Sequence, residues 1–158
     1  MIALGALSCS SGSAPHVYLS EDITGHLLVN RNIEISESGV IRQETYDFLC
    51  GGTPHEVRKL GRLTPEQSAA IRQLFVREKI DTIPHIVPKS DTIFPDSGFR
   101  SIEADWDGHH AKIKWEPLGV KSDDPDVKRF NAVWSALHEI LALKPFEMPP
   151  SRPCKPGE

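Results

Sequence analysis

Arg100-Ser101-Ile102-Glu103-Ala104-Asp105-Trp106-Asp107-Gly108-His109-His110-Ala111-Lys112-Ile113-Lys114-Trp115 is the stretch that decides the fold class. Asp-Gly is the dipeptide favoured by a two-residue type I′ turn, because both central positions need positive φ. With Asp107-Gly108 as the turn, Ala104 faces Ala111 and Ile102 faces Ile113 on one side. On the other side Glu103 meets Lys112 and Asp105 meets His110, so the charges are complementary. A slip of one residue would set Ile102 against a lysine, so the register is well specified.

Outward from this hairpin, two helices announce themselves by their caps. Thr64-Pro65-Glu66-Gln67 combines an N-cap, a proline at the first helical position and a glutamine able to reach back to the cap. Ile71, Leu74 and Phe75 follow as an apolar stripe, and the helix is expected to end near Ile80-Asp81. The second helix starts at Asp124-Pro125 and carries a wide stripe of Val127, Phe130, Val133, Trp134, Leu137, Ile140 and Leu141, ending at Lys144-Pro145. Upstream, His26 to Ile35 and Val40 to Leu49 alternate as strands around the turn Ser36-Glu37-Ser38-Gly39. A weaker strand is expected from Glu56 to Leu60. The predicted class is α+β, an antiparallel sheet of about five short strands packed against two amphipathic helices. Residues 1–25 read as a signal remnant and flexible linker, 26–144 as one domain, and 145–158 as a proline-rich tail.

The net charge of −4, with both signs interspersed, argues against a general nucleic-acid binder, which needs a concentrated basic face. No apolar run is long enough to cross a bilayer. The opening Met1-Ile2-Ala3-Leu4-Gly5-Ala6-Leu7-Ser8-Cys9 followed by Ser10-Ser11-Gly12-Ser13 resembles the end of a bacterial lipoprotein signal. That reading makes Cys9 the lipidated residue and places the domain at the cell envelope, lipid-anchored or periplasmic, touching the membrane only through its anchor. A frayed apolar terminus with an incidental cysteine is the alternative. In an oxidising compartment Cys50 and Cys154 are candidates for a disulfide, with free buried thiols as the alternative.

The residue types that could carry chemistry mostly resolve into architecture. His109 and His110 are adjacent on a strand, so they point to opposite faces and cannot readily ligate one ion. His138-Glu139 and His55-Glu56 begin like a zinc-protease helix motif, but Ala142 and Lys59 stand where its second histidine is required. Asp123, Asp124 and Asp126 lack the glycine and glutamate of a calcium loop and suit a helix N-terminus. No Gly-x-Ser-x-Gly elbow, phosphate-binding glycine loop or CxxC pair is present. The expectation is therefore no catalytic residue, no metal and no cofactor. The loop from Pro84 to Gly98 is the candidate binding surface through Ile86, Val87, Ile93 and Phe94, unless those side chains close one end of the core.

The order of elements, with Leu63-Thr64-Pro65-Glu66, Ile83-Pro84 and Trp106-Asp107-Gly108, resembles small bacterial envelope domains of uncharacterised function. It is more distantly similar to emfourin, the protein inhibitor of thermolysin-type metalloproteases. The resemblance spans about His26 to Leu143 and implies a protein-binding or inhibitory role. Since its motifs are caps and turns, no functional residue is carried over. The expected function is a non-catalytic, envelope-tethered domain that binds another protein. An emfourin-like inhibitor and a hydrolase using the His109-His110 region are the alternatives.

Overall fold

The computed structural model describes residues 13–22, 29–47, 54–87, 98–116 and 123–146. Seven strands form one sheet: β1 His16–Asp22, β2 Val29–Ile35, β3 Val40–Asp47, β4 Pro54–Arg62, β5 Ile86–Val87, β6 Phe99–Trp106 and β7 His109–Trp115. Among the described residues the helices are α1, Pro65–Glu78, and α2, Pro125–Ile140, and a 3-10 turn covers Ile80–Thr82. The sheet order is β4-β3-β2-β1-β6-β7-β5. All pairings are antiparallel except β5 with β7, which is parallel. The α+β class holds, but the sheet is mixed and seven-stranded rather than antiparallel with five strands.

Two elements account for the difference. β1 lies in the stretch read as linker, yet it is the middle strand of the sheet, with Val17 and Leu19 in the core. Its second half, Ser20-Glu21-Asp22, is polar and nevertheless buried, so no hydrophobic pattern marked it. β5 is only two residues long and joins β7 through its main chain, the Lys114 N–H donating to His85 C=O at 2.7 Å and the Glu116 N–H to Val87 C=O at 3.1 Å. β4 also runs longer than Glu56 to Leu60.

The hairpin has the register that the sequence predicts, Ala104 opposite Ala111 and Ile102 opposite Ile113. Asp107 at φ 46° and Gly108 at φ 82° supply the two positive dihedrals of the turn. Inward-facing residues then align in rows across strands: Ile35, Val17, Ala104 and Ala111 form one, and Ile33, Leu19, Ile102 and Ile113 the next. Both helices cover this face, burying Ile71, Leu74 and Phe75 from α1 and Val127, Phe130, Val133, Trp134 and Leu137 from α2. The Phe75 and Trp106 rings meet edge-on at 5.0 Å.

Side chains lock the helix ends. Thr64 Oγ1 accepts from the Gln67 N–H at 3.2 Å and Gln67 Oε1 accepts from the Thr64 N–H at 3.0 Å, a complete capping box. Gln67 Nε2 also donates to Ile140 C=O at 2.8 Å, tying the start of α1 to the end of α2. At the other end of α1, Arg129 donates to the carbonyls of Glu78 and Lys79 and to Thr82 Oγ1. A guanidinium there satisfies carbonyls that the helix leaves unpaired and faces the negative end of its dipole. No helix among the described residues is long and apolar enough to cross a membrane.

Candidate functional site

Three polar features stand out against this frame: the histidine cluster at the hairpin turn, a buried charged row under α2, and the outer edge of the sheet at β4.

At the turn, alternation sends the two adjacent histidines apart. His109 stacks on the buried Trp106 ring at 5.3 Å and its Nδ1 lies 2.9 Å from Asp81 Oδ2. His110 Nδ1 lies 2.8 Å from Asp105 Oδ1, on the face the helices leave open. His16, from β1, comes within 3.7 Å of the same Asp105 and 3.6 Å of Glu34. The hydrogen bond from His110 holds the Asp105 carboxyl below its usual range; partial burial opposes this and His16 reinforces it. An open depression of about 300 Å³ lies here, with Arg72, His16 and His110 among its lining residues. An Asp–His pair can orient a general base, but catalysis of that kind also needs a nucleophile within reach of the imidazole. Among the described residues His110 has no hydroxyl or thiol partner, and no group of three or more His, Cys, Asp or Glu is arranged to hold a metal ion.

The second feature continues the inward rows of the sheet. Beyond Ile33, Leu19, Ile102 and Ile113, the next row across the strands is Thr45, Arg31, Glu21, Arg100 and Trp115. Arg31 and Glu21 are both about 4% exposed and form a direct ion pair, and Arg100 Nε stands 3.8 Å from the second Glu21 oxygen. Arg31 Nη1 donates to Lys144 C=O at 2.7 Å, and its guanidinium lies over the Phe146 ring at 5.1 Å. Arg100 is held between the rings of Trp115 and Trp134, 5.3 Å from each. His138 completes the cluster beside Trp134. Burial, then Arg31 and Arg100, push its pKa down to about 4, so its ring is neutral near pH 7. Arg31 Nε and His138 Nε2 are buried, and among the described residues neither has a hydrogen-bond partner. The two guanidiniums are engaged by Glu21, Lys144 and the rings, so the row acts as an ionic lock that fastens the end of α2 to the sheet.

The third feature is open. β4 ends the sheet, and among the described residues no strand pairs with its outer side. Val57 is 54% and Leu60 44% exposed, two of the few large apolar side chains in solvent. Pairing with β3 sets Lys59 directly opposite Arg42, and Arg62 opposite Val40 on the same face. All three cations are exposed, and among the described residues no carboxylate stands within ion-pair distance of any of them. The carboxylates nearest in register are turned elsewhere: Glu34 toward His16, and Glu44 toward the Tyr46 hydroxyl at 2.7 Å. That bond to Glu44 pushes the Tyr46 pKa up to about 12. Farther in, Tyr18 is raised by burial and then by Glu44, Glu34 and Glu103, so the open face is acidic at its centre and basic at its β4 edge.

Of the residues singled out from sequence, Ile86 is exposed whereas Val87 is 1% exposed and belongs to the core. Ile93 and Phe94, together with Cys9, Cys50 and Cys154, lie outside the described residues. His16, Glu21, Arg31, Arg42, Lys59 and Arg100 were not singled out, because strand pairing rather than local spacing brings them together. The chain matches no protein-family model, and no curated protein matches its sequence.

Proposed function

We propose that this chain is a non-catalytic domain, tethered at a bacterial cell envelope through Cys9, that binds another protein along the outer edge of β4. The observation that carries the reading is the nine-residue strand β4, with Val57 and Leu60 in solvent and no strand on its outer side among the described residues. An unpaired edge presents a row of main-chain donors and acceptors, and strand addition is a common way for one protein to hold another. The envelope tether rests on the Ser8-Cys9 junction and the small-residue stretch after it.

The test is site-resolved crosslinking in the native host. A photoreactive residue is placed at Val57 or Leu60, with Val76 on α1, 64% exposed, as the control position. Discrete crosslinked products from positions 57 and 60 but not 76 are expected. Absence of such products, or equal products from all three, overturns the reading. Lipid mass on Cys9 and recovery with membranes test the tether separately, and a Cys9→Ser chain that still sediments with membranes contradicts it.

A further inference from the structure

Resting on the β4 reading, we infer that the partner contributes an extended acidic segment, which adds to β4 as an eighth strand of the sheet. Three observations carry this. The outer edge of β4 offers main-chain groups only to an extended chain, since a helix satisfies its own. Arg42 and Lys59 face each other across β3 and β4 with Arg62 alongside, and like charges directly opposite in a sheet are unfavourable. Finally, among the described residues none of these cations has a carboxylate within ion-pair distance, although the chain as a whole is acidic at −4.

Cations and irregular pairing on an edge strand also serve to prevent indiscriminate association. β4 has both, with register shifts between Ile41 and Arg42 and between Thr45 and Tyr46. Protection accounts for Lys59 and Arg62. It does not account for Arg42, which sits on the inner strand β3 and shields no free main chain. A strand bearing carboxylates on the open-face side would lie beside Lys59 and Arg62, which share that face with Val57. A second copy of this chain is a poor occupant, because β4 carries Arg58, Lys59 and Arg62 against the single carboxylate of Glu56, so two such edges meet with like net charge.

The experiment uses the full chain and a peptide of about nine residues alternating glutamate with valine. Three comparisons accompany it: a lysine version, a glutamate version N-methylated at alternate amides, and phosphatidylglycerol-containing vesicles. Binding is followed by amide chemical shifts. At low salt the glutamate peptide is expected to shift β4 amides and to bind at least about tenfold tighter than the lysine version. N-methylation should abolish binding, and an Arg42→Glu/Lys59→Glu chain of unchanged melting temperature should reverse the charge preference. Equal binding of both peptides, retention by the N-methylated peptide, or vesicle binding lost in the same double variant would each overturn the inference. So would a β4-mediated dimer of the unmodified chain. If neither peptide binds while crosslinking at Val57 and Leu60 persists, the acidic partner is wrong and the protein-binding reading stands; if crosslinking is also absent, both fall.

Discussion

Lowering the pH should destabilise this fold through one histidine. His138, in the last turn of α2, lies beside Trp134, with the Arg31 and Arg100 guanidiniums close enough to oppose a third positive charge. Its pKa falls from 6.5 to about 4 on folding. Above pH 6.5 the ring is neutral in both the folded and the unfolded chain, and the group is indifferent to folding. Between 6.5 and about 4 the unfolded chain takes up a proton that the folded chain refuses, so stability is lost as the pH falls through that window. Below it both states are protonated and the loss levels off. At about 1.4 kcal/mol per pH unit the interval amounts to about 3 kcal/mol, and partial solvent access reduces the expected loss to about 2 kcal/mol. Urea unfolding of the native chain and of His138→Gln, at about pH 7 and about pH 4.5, isolates the effect. Asp105 and Glu66, whose carboxyls are held low in the folded state, also lose stability on acidification, but equally in both chains. The native chain should lose about 2 kcal/mol more than the variant. Parallel losses in the two chains, or a His138 titration by NMR near its ordinary value, would refute the reasoning.

Further outcomes follow from the same contacts. Arg129→Ala strips the carbonyl caps from the end of α1 and should cost about 2 kcal/mol in urea unfolding, with Arg129→Lys recovering little because one ammonium cannot span Glu78, Lys79 and Thr82. Glu21→Ala leaves the Arg31 charge buried and uncompensated, a loss of about 3–5 kcal/mol. The double variant Glu21→Ala/Arg31→Met should regain much of that loss, and a double variant no better than Glu21→Ala contradicts the ionic lock. Gly108→Ala meets no atom within 4 Å of its new Cβ, so its cost, about 1 kcal/mol in thermal melts, comes from the φ of 82° alone.

The hairpin was legible in the sequence because every level agreed there. Turn dipeptide, apolar alternation and cross-strand charge all specify the one register seen between Arg100 and Trp115. α1 was equally plain, since its capping box is local chemistry. β1 was not, because its polar half is explained only by partners far along the chain: Glu21 is neutralised by Arg31 and Arg100, and nothing within a few residues hints at either. β5 escaped for a different reason, being two residues whose place depends on the main chain of β7. The basic edge was hidden by the irregular pairing of β3 with β4, which decides that Lys59 rather than a neighbour stands opposite Arg42. Alternation along either strand alone cannot supply that pairing.

Residue-level hydrogen exchange tests the central claim most directly, comparing the full chain alone with the chain saturated by the acidic extended peptide. Slower exchange at the outward-pointing amides of β4, with β5 and α1 unchanged, is the expected result. Unaltered β4 amides, or protection appearing instead around Ile86 or the hairpin turn, would contradict it.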